Sequence, residues 1–218
     1  MMERMMSFFS WTAAFAGMNV IWLFGNAPLL FGGFLYVHGY AGLPFFLMQV
    51  VLAGTFLTLP LTIALFRAAG RMMIEKETDG AGKWMIADSW SAAKRGMYML
   101  PITAAWGLWI ILYTETSSVT AGAALLVPLV FLLAFTVSFC MMEAQRVTGS
   151  TYQRAFLLTF GRPGLSASFA GTVLVAVYVS VNGYLFLALF FSASLTACVL
   201  YSLYEQLYRR FEKTGGIV

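Results

Sequence analysis

Charge is what this chain has least of. Asp, Glu, Lys and Arg make up only 10% of its 218 residues, against 61% hydrophobic and 17% aromatic, and the mean hydropathy is +0.82. A soluble domain of this length carries roughly a quarter of its residues charged, so a freely soluble fold is excluded. Histidine occurs once, at His38, and cysteine twice, at Cys140 and Cys198, each alone in an apolar run. That scarcity excludes a disulfide framework and a His/Cys zinc site, and leaves both cysteines as small buried hydrophobes. No Gly-rich phosphate loop with a Lys is present, so the chain has no ATPase of its own. The apolar runs hold no Asp, Glu, Lys or Arg, which argues against proton- or sodium-coupled transport. No nucleophile stands beside a base, and the chain reads as non-catalytic and without a cofactor. Its net charge of +4 reflects membrane topology rather than nucleic-acid binding.

What the chain does have is long apolar runs, and crossing a bilayer core of about 30 Å takes about 20 such residues. The runs predict an all-α, polytopic membrane helix bundle forming one domain over 1–218, with six transmembrane helices at about 11–37, 43–66, 97–113, 121–142, 165–181 and 184–203. The first run has no Ala-x-Ala-like cleavage site and is too long for a signal peptide, so it is expected to stay as an anchor. The last two spans share an uncharged stretch of 39 residues, Leu165 to Leu203, and the turn former Asn182-Gly183 is where it is expected to fold back. Arg67 to Gly96 is the one long stretch that water could hold, with 6 of the 13 Lys and Arg. Loops 67–96 and 143–164, with the two ends of the chain, hold all 13 cations, while the opposite loops offer only His38 and Glu115. Cations stay cytoplasmic in short loops, so both termini and both large loops are expected inside.

Two short cytoplasmic amphipathic helices are expected in those loops. Gly80 and Gly82 break the extension of the second span, after which Ile86, Trp90, Ala93 and Met97 share one face and Asp88, Ser91 and Arg95 another. In the second loop Ser150 and Gln153 form a capping box, Gly161 and Pro163 stop the helix, and Tyr152, Phe156 and Phe160 form an aromatic stripe. Such faces either anchor in the membrane interface or dock a partner, and Trp84, Ile86, Trp90, Glu143, Gly149, Tyr152, Phe156 and Phe160 are the candidate docking residues. Within the spans the neutral polar candidates are Asn19, Asn26, Gln49 and Asn182, suited to interhelical hydrogen bonds or to lining a cavity. Gly164, Ala167, Ser168, Gly171 and Thr172 offer a small-residue stripe for close packing, within the chain or to another subunit.

Asn19 to Pro28 (NVIWLFGNAP), Leu59 to Met72 (LPLTIALFRAAGRM), the Trp-rich Lys83 to Arg95 and Ala144 to Pro163 (AQRVTGSTYQRAFLLTFGRP) together resemble the YesL-like family of bacterial membrane proteins. The resemblance covers most of the chain in the same order, although Asn19 and Pro60 lie farther apart than the corresponding motifs of many relatives. It implies a multi-pass protein of the bacterial cytoplasmic membrane, in a family often encoded beside carbohydrate ABC importers and polysaccharide-degrading enzymes. Glu143-Ala144, Gly149 and Phe156 also resemble, in spacing, the cytoplasmic loop by which ABC importer permeases hold their ATPase, with Pro163 one residue off. The leading expectation is therefore an accessory subunit contacting the permease and ATPase of a carbohydrate importer. The alternatives are a passive or facilitative conduit for a neutral solute, and a membrane sensor or assembly factor for envelope polysaccharide. The topology is open to a direct test: Lys83→Cys and Arg154→Cys in intact cells are expected to resist an impermeant thiol reagent. Reaction of either from outside overturns the inside assignment.

Overall fold

A long apolar segment in lipid satisfies its backbone polar groups internally, as a helix. The computed structural model describes residues 2–145, 150–182 and 193–206, and their regular structure is all helical. Among the described residues there are eight helices: α1 (Met2–Val37), α2 (Leu43–Ile74), α3 (Ala81–Ala93), α4 (Gly96–Glu115), α5 (Val119–Ala144), α6 (Thr151–Gly161), α7 (Pro163–Asn182) and α8 (193–206). Phe9–Val37 of α1, together with α2, α4 and α5, gives four helices long and apolar enough to cross a membrane. Helices α6 and α7 meet at a bend of 97° and add a fifth if the pair forms one broken span. The expected fold-back after Asn182 and the start of the sixth span lie outside the described residues. Large apolar side chains such as Phe24, Leu108, Val127 and Val175 face outward, as a lipid-facing surface requires.

Helix α2 is the hub, packing against α1, α3, α4 and α5. Its middle, Gly54–Thr58, opens into a π-turn in which the Leu59 amide reaches the Gly54 carbonyl. Pro60 is the cause: it has no N–H to donate and its ring crowds the preceding turn, so the backbone widens just ahead of it. The widened turn presents Thr55, whose hydroxyl meets that of Thr103 on α4 at 2.7 Å in a buried pair. Two turns beyond Thr55, the Thr62 hydroxyl donates to the Thr58 carbonyl and accepts from the Trp22 indole of α1 at 3.2 Å.

Arg67 does not end this helix. The expectation that it hands the chain to water is corrected by the structure, in which α2 runs on to Ile74 with Arg67, Ala68, Ala69, Gly70 and Met72 buried. At 32 residues α2 is about 48 Å long, well beyond the bilayer core, so its last turns can be covered by protein rather than lipid. On α7 the packed face is Leu165, Ser166, Phe169 and Ala170. The expected small-residue stripe lies beside it, with Gly164, Ala167 and Ser168 exposed and nothing within 4 Å of a Cβ built at Gly164 or Gly171.

Close approach of α4 to α2 depends on Gly96, where a Cβ would stand 2.7 Å from the Phe56 ring and 3.3 Å from the Thr55 carbonyl oxygen. Gly96→Val is therefore expected to cost about 1–3 kcal/mol through overpacking. Thermal unfolding in detergent checks it against Gly122→Val, which meets nothing within 4 Å and is expected to be neutral. Equal midpoints for the two variants would remove Gly96 from this role.

Candidate functional site

Three small residues, Ala68, Ala69 and Gly70, follow Arg67 and leave room for other chain elements against the last turns of α2. Arg67, with its side chain only 5% exposed, turns into that space. Its Nε donates to the Ala144 carbonyl at 3.1 Å and its Nη2 to the Glu143 carbonyl at 3.0 Å, both at the C-terminal end of α5. A helix end leaves its last carbonyls unpaired and carries partial negative charge, so a guanidinium there satisfies both demands. On the other side Arg67 Nη1 lies 3.5 Å from Asp88 Oδ1 of α3, and Arg71 Nη2 lies 3.2 Å from Asp88 Oδ2. Asp88 therefore sits between two guanidiniums one helical turn apart. The Arg71 guanidinium also stands 5.5 Å from the centre of the Trp84 ring, within cation–π range.

A second ion pair extends the cluster to the remaining elements. Glu143 is buried at the end of α5, where its Oε1 pairs with Arg95 at the start of α4 and its Oε2 accepts from the Thr151 hydroxyl of α6 at 3.2 Å. Ser150 caps α6, accepting the Gln153 amide at 3.4 Å, which is half of the reciprocal capping box expected. Tyr152 then turns inward, donating to the Tyr98 carbonyl and packing 4.9 Å from the rings of both Tyr98 and Phe139. Burial first, and then the Tyr98 phenol, push the Tyr152 hydroxyl up to about 12, so it stays a neutral donor at ordinary pH. Residues from α2, α3, α4, α5 and α6 are thus joined at one end of the bundle.

The expected docking residues divide into two groups. Glu143 and Tyr152 serve the interior, and Trp84 is half-buried against Arg71. Ile86 and Trp90 on α3, and Phe156 and Phe160 on α6, point outward, with Trp90 69% exposed. The α6 stripe divides because a residue four positions on is rotated by about 40°, so Tyr152 and Phe160 lie about 80° apart. Phe156 and Phe160 rings pack at 4.5 Å, and Phe160 stacks on Phe131 of α5 at 5.2 Å. Gly149 lies outside the described residues. The expected faces of α3 are not kept: Ile86 and Trp90 of the apolar face point outward, Asp88 of the polar face is buried with Met85 and Ala92 while Ser91 stays exposed, and Met97 belongs to α4.

The four polar candidates of the spans each find separate surroundings. Asn19 is fully buried, and its Oδ1 accepts the amide of Ala193 at 2.7 Å and that of Ser194 at 3.4 Å, tying α1 to α8. Asn26 is buried, with its amide nitrogen donating to the Trp22 carbonyl at 2.7 Å. Gln49 lies against Gly32, where a Cβ would stand 3.1 Å from its Cγ. Asn182, exposed at the end of α7, donates to the Tyr178 carbonyl of its own helix at 3.1 Å. His38 accompanies the expected turn after α1, its ring nitrogen 3.0 Å from the Phe34 carbonyl. Among the described residues no three His, Cys, Asp or Glu side chains stand close enough to hold a metal.

Sequence reasoning missed Arg67, Arg71, Asp88 and Arg95 as a working set. One signal was available: two arginines four apart beside Ala-Ala-Gly, and a lone Asp in an otherwise apolar turn of α3. The fold and this cluster define a multi-pass, all-helical membrane protein. No protein-family model, no curated protein and no solved structure matches the chain.

Asp88→Asn leaves two guanidiniums facing each other and is expected to cost about 3 kcal/mol. Glu143→Gln is expected to cost less, about 1 kcal/mol, because Arg95 is half exposed and the Thr151 bond can persist. Thermal unfolding of the purified variants checks the order, and a reversal would place the weight of the cluster on Glu143 instead.

Proposed function

We propose that the chain is a non-catalytic accessory subunit of a carbohydrate ABC importer, held in the bacterial cytoplasmic membrane by six spans with both termini inside. The observation that carries the docking half is the outward aromatic surface of α3 and α6, fixed in place from beneath. Surface helices that only float in the interface have no need of buried ion pairs to set their angle. Trp90, Ile86, Phe156 and Leu157 are large, exposed and held on rigid elements, which is how a docking surface keeps the entropy cost of binding low. The choice of partner rests on the resemblance of its motifs to those of YesL-like proteins and on the likeness of its loop spacing to that of importer permeases.

Mild detergent extraction followed by co-purification tests the proposal. Permease and ATPase subunits are expected to accompany the wild type, with at least a fivefold loss for Trp90→Ala combined with Phe156→Ala. A wild type that brings down no importer subunit, under conditions where the importer stays whole, rejects the reading.

The conduit reading has one observation in its favour, the Asn26 Oδ1 atom, which is buried without a hydrogen-bond partner among the described residues. Solute flux through the lone protein in liposomes would establish that reading, and none is expected of an accessory subunit.

A further inference from the structure

The exposed charges of α3 and its C-cap are all positive. Asp88 is the only acid between Gly80 and Gly96, and it is buried on the inner side of the helix beside Arg67 and Arg71. The outer side carries Lys83, Ile86, Ala87, Trp90 and Lys94, each of them exposed. At 3.6 residues per turn these five fall in one sector of about 100°. The two lysines stand at its ends, about 16 Å apart along the axis and within about 20° of each other around it. Ile86, Ala87 and Trp90 lie between them. None of the ion pairs among the described residues involves either lysine.

The first lysine sits where its own helix disfavours it. Lys83 is in the first turn of α3, whose free amides carry partial positive charge, and no acid in that turn offsets it. A carboxylate arriving from outside would relieve that cost. The stripe is also fixed in direction, because Asp88 and the Trp84 ring, both engaged with Arg71, set the roll of the helix from within.

A flat lipid surface suits this pattern poorly. A helix lying in the interface keeps its lysines on the face opposite its apolar one. Here both lysines are in line with Trp90, so sinking Trp90 and Ile86 among acyl chains would carry both ammonium groups down with them.

We infer that the stripe docks on a partner protein surface of complementary pattern, an apolar groove for Ile86 and Trp90 with a carboxylate at each end, about 16 Å apart. The inference rests on the docking reading of α3 and adds the chemistry of the surface it meets. Ammonium–carboxylate pairs at the ends set register and encounter rate, while the aromatic centre supplies the affinity.

Carbodiimide coupling of the full-length protein in its native membrane tests this, since it joins a lysine amine to a carboxylate only where the two are in contact. Isopeptide bonds from Lys83 and Lys94 to Asp or Glu side chains of one partner segment are expected, read by mass spectrometry of the joined peptides. Lys83→Arg and Lys94→Arg keep the charge and are expected to lose those bonds, while a photo-crosslinking amino acid at position 87 still joins the same segment. Lys83→Glu is expected to lower that photo-crosslinking about fivefold. The same change is expected not to lower the thermal midpoint of the purified protein, since an acid suits the first turn of a helix, so the loss is one of docking and not of fold. A photo-crosslinked protein segment that lacks Asp or Glu at the ends of the contact, or crosslinking indifferent to Lys83→Glu, overturns the charge pattern and leaves the docking reading standing. Crosslinking of position 87 to lipid alone overturns both.

Discussion

A guanidinium that leaves water must find its counter-charge and its hydrogen-bond acceptors inside the protein, and Arg67 sets that demand here. Two carbonyls at the end of α5 and the Asp88 carboxylate of α3 meet it from opposite sides. Much else follows from this. α2 has to overrun the bilayer core so that its charged turns are enclosed by protein instead of lipid. α3 has to lie against those turns with its acid inward, which sends Ile86 and Trp90 outward. α5 has to stop where its last carbonyls can be reached, and Glu143 at that point passes the constraint on to Arg95 and Thr151. A change at Asp88 is felt on α2 and α3 together because this one side chain of α3 lies beside both Arg67 and Arg71 of α2.

The parts of this arrangement that local sequence dictates were readable in advance, and the parts that depend on distant partners were not. The long helices through Ala144 and the turn at His38 follow from the apolar runs and the break between the first two, although α2 overruns its own run by eight residues, and the bounds of α6 follow from Ser150, Gly161 and Pro163. Those features require only neighbours within a few residues. Arg67 and the carbonyl of Glu143 stand 76 positions apart, and no local periodicity records that they meet. Counting every cation as water-bound leaves the number of charges per loop unchanged. It fails for burial, because it cannot separate Arg67, which is enclosed, from Arg95, which is half exposed. The aromatic stripe of α6 shows a subtler limit. A four-residue repeat looks straight on paper and winds around a helix of 3.6 residues per turn.

The neutral polar residues follow a related division. Where a hydroxyl or amide finds a partner on another helix, as Thr55 does with Thr103 and Asn19 does with the amides at Ala193 and Ser194, it fixes the pairing of two elements. Such bonds in a membrane interior are worth about 0.6 to 2 kcal/mol each, enough to choose between registers of otherwise interchangeable apolar surfaces. Where the partner is the residue's own helix, as for Asn182, the side chain satisfies itself and specifies nothing further.

Arg71 and Glu75 are spaced to pair along the helix, and an i, i+4 ion pair there would contribute a few tenths of a kcal/mol. The structure gives up that pair. Arg71 is drawn instead to Asp88 and over the Trp84 ring, both of which lie on α3. Anchoring α3 against a buried charge outweighs a solvent-exposed pair, since the buried contact is less screened. Arg71 is thereby held toward α3 while Glu75, exposed on the turn after it, forms no ion pair with it among the described residues, so the separation of the two is set by the packing of α3 rather than by either side chain.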